Sequence, residues 1–207
     1  RLRPRASPAQ TIQDCTAKYG GGGHSEHDVQ LVDCRILRCH ATALGGGLYN
    51  EVSHVTMTRV NISECSATAA GGIYTYDFPA VAALVDVLVT SCRATGDGED
   101  DGGGGILVKG GALLTMTGGA IRDCAAQSYG GGLRVRGGAS QVRLPQVRLR
   151  GITLQGCTAP TRGGCMRLDN GDVSLVDVSL EECGLETMCS EYALYQEAGT
   201  LRAERVH

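Results

Sequence analysis

The carboxylates most suited to acid–base chemistry recur at one position relative to a series of cysteines. Asp33, Asp86 and Asp177 each stand six residues before such a cysteine. A glycosidase needs two carboxyl groups about 5–10 Å apart, whereas Arg59 occupies the same position in the unit between Asp33 and Asp86. The three carboxylates would therefore not converge on one sugar. We expect no catalytic residue and no turnover of polysaccharide.

A run of acidic residues, TGDGEDDGGGG at 95–105, is the first candidate for a metal-binding loop. Its possible ligands are Asp97, Glu99, Asp100 and Asp101. Calcium loops such as the EF-hand place their oxygen ligands at regular spacing, and this run lacks that spacing. The four residues are therefore weak metal candidates, and we expect a solvated acidic loop.

The tetrapeptide HSEH at 24–27 offers a second ligand set, made of His24, Glu26 and His27. Imidazole and carboxylate groups are ligands that Zn²⁺ accepts. The tetrapeptide lies at a predicted corner of the chain, with no cysteine at a fixed distance to complete a site. We expect an ordinary surface corner here.

The motifs that would indicate a cofactor are incomplete. A phosphate-binding loop needs a helix after its glycines, whereas GGGLYN and GGGLRV lead into predicted strands. CRILRCH at 34–40 places four residues between its cysteines, and haem attachment requires two. We expect no cofactor.

Two tyrosines are the candidates for a contact patch. Tyr49 and Tyr74 each follow the apolar residue that comes after the glycines, in neighbouring units, so both are predicted to face outwards. Aromatic rings offer a large contact area to sugars or proteins. We expect a two-rung aromatic patch, with simple stacking on a strand face as the alternative.

Further surface candidates are one asparagine and a group of arginines. Asn61 begins an N-I-S acceptor sequence for glycosylation in a eukaryotic secretory pathway. The arginines near a second insertion at 134–146 would face water or an anionic partner; they are Arg134, Arg136, Arg143, Arg148 and Arg150. The net charge of −3 gives no electrostatic signature of nucleic-acid binding. No segment has the apolar length of a membrane span, so we expect no membrane insertion.

The elements that must position these residues are repeats of about 26 residues. Each repeat is anchored on a cysteine, and the anchors are Cys15, Cys39, Cys65, Cys92, Cys124, Cys157 and, more weakly, Cys183. Mostly apolar residues precede the anchors by three, five, eight and ten positions. Steps of two predict strands with alternate side chains facing inwards, and steps of three predict corners. The glycines after each anchor form a turn at one corner.

Stacked repeats would pair each strand with its counterparts above and below, at about 4.8 Å. We therefore predict an all-β fold, a right-handed parallel β-helix (solenoid) of about seven coils of ~26 residues each. Residues 1–10 would be an N-terminal lead-in and 11–207 a single β-helix domain that is truncated mid-coil at both ends. Leu201, Ala203 and Val206 would begin another coil.

The tandem pattern resembles right-handed parallel β-helix proteins of the pectin-lyase-like superfamily. Within that superfamily it is similar to the polymorphic outer membrane protein type of repeat, in which GGA precedes an aliphatic residue. This sequence has GGAL at 110–113 and GGAI at 118–121, whereas VNISEC and VSLEEC replace the F-x-x-N element of that repeat. The resemblance covers about 11–185 and implies an extended surface or scaffold module.

Ten cysteines favour an oxidising compartment. The seven anchors share one inward column, and Cys34 and Cys165 lie in neighbouring inward columns. The spacing between stacked repeats permits disulfides, but parallel Cβ vectors oppose the dihedral angle that a disulfide prefers. We predict mainly a ladder of packed, reduced thiols, with Cys183–Cys189 as the favoured single bridge.

Two hypotheses for function follow. The first is a noncatalytic structural or adhesive β-solenoid module, extracellular or at a cell surface, within a larger protein or assembly. Its partners would be other protein chains or the rest of its own polypeptide, and possibly glycans. The alternative is a carbohydrate-processing β-helix, similar to a lyase or hydrolase, with catalytic residues in flanking coils. Outward carboxylates in three adjacent rungs would favour the alternative, and the sequence does not contain them.

Overall fold

The computed structural model describes residues 10–137, 143–184 and 193–207, and it is all-β over these ranges. The strands are short and all their pairings are parallel, which is compatible with a β-solenoid. Within the described ranges, no helix is long and apolar enough to cross a membrane. The Cys183–Cys189 bridge predicted from the sequence involves Cys189, which lies outside these ranges.

The strands follow one another with short connections. The first eleven are β1 (Gln10–Gln13), β2 (Thr16–Tyr19), β3 (Gly23–Ser25), β4 (Val29–Val32), β5 (Cys34–Leu37), β6 (His40–Leu44), β7 (Leu48–Glu51), β8 (His54–Thr58), β9 (Asn61–Ser63), β10 (Ser66–Ala67) and β11 (Ile73–Tyr76). The next six are β12 (Val81–Thr90), β13 (Arg93–Ala94), β14 (Ile106–Lys109), β15 (Leu113–Arg122), β16 (Ala125–Ala126) and β17 (Leu133–Arg136). The last six are β18 (Gln146–Arg150), β19 (Thr153–Gln155), β20 (Met166–Asn170), β21 (Asp172–Glu181), β22 (Leu194–Gln196) and β23 (Thr200–Val206).

These strands form three parallel sheets, and successive repeats supply neighbouring strands. The order is β1-β5-β9-β12-β15-β18-β21-β19 along the main path of an 11-stranded sheet, with β4, β8 and β23 paired beside it. A 5-stranded sheet runs β16-β13-β10-β6-β2, and a 7-stranded sheet runs β22-β20-β17-β14-β11-β7-β3. Equivalent residues are in register: Ile36 pairs with Ile12 on one side and with Ile62 on the other. The predicted inward columns are therefore continuous ladders.

The predicted corners are residues with left-handed backbone. One set stands immediately before the anchor cysteines: 14, 38, 64, 91, 123, 156 and 182. The other set stands six residues before the anchors, at 33, 59, 86, 118, 151 and 177, and Arg205 in the last strand has the same backbone conformation. Every member has a φ between 49° and 66°, a region that disfavours most side chains but that Asp and Gly enter more readily. The steps of three in the apolar pattern thus correspond to real bends.

The glycine turns are needed because backbones approach closely there. At Gly45 the φ is 64°, which is left-handed. At Gly47 an added Cβ would lie 2.6 Å from Cγ2 of Ile62 and 2.8 Å from the carbonyl oxygen of Gly72, in the next repeat. A side chain at that position would force neighbouring repeats apart, so glycine there is required by packing.

The core is a set of stacked aliphatic side chains and thiols between the sheets. Cys39, Cys65, Cys92, Cys124 and Cys157 are buried and unbonded, as the predicted thiol ladder requires. Each sulfur lies near the carbonyl oxygen two residues earlier, as Cys65 Sγ lies 3.3 Å from Ser63 O. Burial raises the pKa of the Cys39 thiol. These cysteines pack as small apolar residues.

The structure corrects the predicted disulfide. Cys183 is bonded to Cys165, with their Cα atoms 5.1 Å apart, so it is not available to Cys189. Cys165 occupies the inward position after the glycines of one repeat, and Cys183 is the anchor of the next. A bridge between different columns does not require parallel Cβ vectors to meet, so the objection to bridges within one column does not apply to it.

Near the C-terminus, β23 pairs in parallel with β21 and places Leu201 beside Val173, Ala203 beside Leu175 and Val206 beside Val178. The apolar pattern of 201–206 therefore continues the inward columns, as the sequence predicted.

Candidate functional site

The outward side chains of the 7-stranded sheet form one continuous row, which we call the outer row. Its members are in register on β3, β7, β11, β14, β17, β20 and β22: His24, Tyr49, Tyr74, Leu107, Arg134, Arg167 and Tyr195. The residue types in this row change along the stack, from aromatic through aliphatic to basic. Much of the row is buried, although it points away from the core, because other parts of the chain cover it.

The aromatic part of the outer row confirms the predicted stacking of Tyr49 and Tyr74 but corrects their exposure. The two ring centroids are 5.4 Å apart, and each residue is only 4% exposed. Ala69 and Ala70 pack against them in a second apolar cluster, together with Leu107. Burial raises the pKa of both phenols. These tyrosines are an outer core and not an open contact patch.

The basic part of the outer row is a buried ionic network. Arg134 is fully buried and donates from Nε to Asp169 Oδ2 at 2.6 Å. Arg167 donates to the other oxygen of Asp169 and, from Nη2, to Glu197 Oε2 at 2.9 Å. The guanidinium carbons of Arg167 and Arg134 lie 3.8 and 4.7 Å from the centroid of the Tyr129 ring. Two buried cations therefore share one nearly buried carboxylate and one aromatic ring.

A recess of about 330 Å³ opens beside this network. Its wall includes Arg134, Arg136, Arg167, Asp169 and Glu197. Within the described residues Arg134 Nη2 has no hydrogen-bond partner, and burial lowers the pKa of the Arg134 guanidinium. The recess is therefore a polar pocket of mixed charge that could accept a small ligand with both donors and acceptors.

The acidic insertion lies over the same sheet and contacts its cations. Asp100 Oδ1 lies 2.8 Å from Lys109 Nζ and 3.0 Å from Arg136 Nε, and these cations hold the pKa of Asp100 below its usual value. Asp101 accepts from the backbone N–H of Gly98 at 3.1 Å. Among the described residues, one group of three side chains could hold a metal ion, and it contains none of the weak metal candidates Asp97, Glu99, Asp100 and Asp101.

That group is at the other end of the outer row. His24 Nε2 lies 3.5 Å from Glu51 Oε2 and 3.8 Å from Glu26 Oε1, and all three ligand atoms lie within 4.8 Å of one another. His27, which the sequence grouped with His24 and Glu26, is not part of it. Glu51, from the neighbouring strand β7, therefore takes the third position that the sequence had assigned to His27.

Two of the outward carboxylates at the second corner pair with arginines of neighbouring repeats. Asp33 forms two hydrogen bonds with Arg59, at 2.6 and 2.7 Å, and Asp177 pairs with Arg205. Asp14 pairs with Arg38 in the same way at the other corner. The arginine holds the pKa of each carboxyl below its ordinary value. These carboxylates link one repeat to the next.

The remaining candidates do not form one surface. Arg143 lies over the ring of Phe78, 3.9 Å from its centroid, whereas Arg148 and Arg150 lie on β18 in the 11-stranded sheet. Asn61 lies in β9 and is partly exposed, with its side-chain oxygen buried and unpaired. Its glycosylation stays a prediction.

The network of Arg134, Arg167 and Asp169 was not predicted, although its signal is present. Both arginines follow a glycine turn and one apolar residue, in GGGLR and GGCMR, so the repeat alignment places them side by side. Asp169 stands two residues after Arg167 and therefore on the same strand face. Comparison with known proteins returns no match: no family model, curated protein or solved structure matches the chain.

Proposed function

We propose that the parallel sheets wind as a right-handed β-helix of about seven coils, of the pectin-lyase-like type. The support is the in-register pairing of every repeat with the next and the general right-handedness of parallel crossovers. The repeat is similar to that of polymorphic outer membrane proteins. An experimental structure with left-handed connections or a different coil count would refute this.

We propose that the module is a noncatalytic structural or adhesive β-solenoid, part of a larger extracellular or cell-surface protein or assembly. One observation carries this proposal: the corner carboxylates of Asp14, Asp33 and Asp177 are engaged in bonds between repeats, with Arg38, Arg59 and Arg205. Catalysis on an outer face needs a carboxylate that can act on substrate, and these three carboxylates are each bonded to an arginine of the neighbouring repeat. The Cys165–Cys183 disulfide agrees with an oxidising compartment.

The partners of this module would be other protein chains or the rest of its own polypeptide, and possibly glycans. The exposed outer faces or the corner insertions would make such contacts, since the centre of the outer row is buried. The net charge of −3 does not favour a polyanionic nucleic acid.

The alternative remains a carbohydrate-processing β-helix, and one observation favours it. The recess combines Arg134 and Arg167 with Asp169 and Glu197, which are residue types that bind and act on sugars. However, both carboxylate oxygens of Asp169 already accept hydrogen bonds from guanidinium groups, so this carboxylate is engaged within the network.

The experiment is to incubate the chain with a panel of uronate and neutral polysaccharides and to measure both retention and cleavage. The proposal predicts retention of at most a few polymers and no new reducing ends or unsaturated products. Cleavage that is lost in Asp169→Asn but kept in Asp33→Asn would establish the alternative.

A further inference from the structure

We propose that His24, Glu26 and Glu51 form a binding site for a divalent transition metal ion such as Zn²⁺. The three residues come together because of the β-sheet register. Ser25 on β3 pairs with Asn50 on β7, so the next residues, Glu26 and Glu51, follow in step on adjacent chain segments. His24 stands two residues before Glu26 and therefore projects on the same face.

The distances between the ligand atoms suit a small ion. Zn²⁺ binds imidazole nitrogen and carboxylate oxygen at about 2.0–2.2 Å, so two ligands of a tetrahedral site lie about 3.3 Å apart. His24 Nε2 is 3.5 Å from Glu51 Oε2 and 3.8 Å from Glu26 Oε1. The Glu26 and Glu51 oxygens lie within 4.8 Å of each other, so coordination would require these two side chains to approach by up to about 1.5 Å. Water could supply the fourth ligand because the His24 side chain is 30% exposed.

Two carboxylates meet one imidazole at this site. Asp33, Asp100 and Asp169 each have an arginine or lysine partner. In the described part of the chain, the ion-pair contacts of Glu26 and Glu51 are with His24 alone. Like charges that lie close together repel each other, and a divalent cation would relieve that repulsion.

The imidazole is held in place for coordination. His24 stacks on the ring of Tyr49, with centroids 4.8 Å apart and an interplanar angle of 28°. Tyr49 is itself buried against the outer apolar cluster, so the ring beneath His24 is rigid. One nitrogen and two carboxylates are too few oxygen ligands for Ca²⁺, which takes six to eight. Mixed imidazole and carboxylate ligands suit Zn²⁺ and its transition-metal neighbours.

The test uses the full chain without a histidine tag. Zn²⁺ is titrated by calorimetry, and Co²⁺ is titrated in the visible region, where a tetrahedral site gives d–d bands. We expect one ion per chain, displacement of Co²⁺ by Zn²⁺, and a rise in thermal midpoint with Zn²⁺. His24→Gln and Glu51→Gln should each weaken binding at least ~10-fold, since even loss of an outer-shell partner costs 10–100-fold.

His54→Gln and His27→Gln are the matched controls, because these histidines are outside the cluster. Cys15→Ala controls for a thiol ligand, since Cys15 is partly exposed and unbonded. Far-UV circular dichroism of each variant shows whether it is folded. Binding that persists in His24→Gln, or that is lost in His54→Gln or Cys15→Ala, would overturn the proposal. So would the absence of saturable binding in the folded wild-type chain.

Discussion

Removal of the Asp169 carboxylate tests whether the basic part of the outer row holds the last repeats together. Asp169→Asn keeps the size of the side chain and deletes its charge. Arg134, which is fully buried, and Arg167, which is 7% exposed, would then lack their shared counter-ion. Breaking a buried ion pair by removing one partner typically costs 3–5 kcal/mol, because the remaining charge stays desolvated. Arg167 keeps Glu197, so we expect the lower end, about 3 kcal/mol.

Asp33→Asn is the matched control, since it makes the same chemical change in another pair between repeats. The side chains of Asp33 and Arg59 are both 55% exposed. Exposed pairs contribute little to stability because solvent screens them, and salt weakens them further. Asp169→Asn should therefore lower the free energy of unfolding clearly more than Asp33→Asn, although both remove a carboxylate bonded to arginine.

The assay is urea unfolding of the full chain, followed by circular dichroism and by protection of amides against hydrogen exchange. Repeat arrays can unfold in segments, so exchange at β17 and β20 shows whether the loss is local. The double variant Arg134→Leu/Asp169→Asn should recover part of the lost stability, because it removes one of the two buried cations. Equal effects of Asp169→Asn and Asp33→Asn, or no recovery in the double variant, would refute the argument.

Three further predictions concern the corners, the glycine turns and the thiols. Arg59 lowers the pKa of Asp33. The contribution of the Asp33 carboxylate to stability is therefore present above its unfolded pKa of about 4 and is lost as the pH falls through its folded pKa. Thermal midpoints at pH 3 and pH 6, in low and high salt, should show a loss of stability at low pH that is smaller in Asp33→Asn than in the wild type. Gly47→Ala should destabilise the chain by about 1–3 kcal/mol in chemical unfolding, since its Cβ would lie 2.6 Å from a side-chain methyl. Gly184→Ala should cost less, because its Cβ would have no atom of the described residues within 4 Å. Mass spectrometry of unreduced, alkylated protein should recover a peptide pair linking Cys165 to Cys183, and recovery of Cys183 linked instead to an anchor cysteine would contradict the structure.

Periodic features of the fold could be predicted from the sequence. Inward residues such as Ile36, Ile62 and Val89 pair with one another in neighbouring strands. A strand buries alternate side chains and each corner fixes where the strand begins, so only one pairing buries its apolar side chains. The bends at Asp33 and Asp86 followed from the steps of three in the apolar pattern. Repetition made these inferences reliable, since each repeat tested the alignment of the others.

Features that depend on non-repeated segments could not be predicted. The position of Tyr74 beside Tyr49 follows from register, but its burial depends on Ala69 and Ala70, which lead into the glycine turn and fold over the outer face. Arg134 was expected at the surface because arginine is rarely buried without a partner. Its partners are Asp169, from the next repeat, and the carbonyl of Asp101, from an insertion. The alignment places Asp169 on the same face as the arginines, but the path of the insertion over that face does not follow the repeat period.

The outer row explains how one stack can have different chemistry at its two ends. Each outward position is held by the strand beneath it, and the inward residues on either side carry the packing. A change from Tyr74 to Leu107 to Arg134 along the row therefore leaves the inward ladder intact, with Ile73, Ile106 and Leu133 stacked throughout. The energetic cost of an outward residue depends on what covers it, and the covering segments are the loops, which vary among repeats. Binding sites on this chain should therefore occur where a loop folds over the outer row, and their ligands should follow the residue types of adjacent rungs.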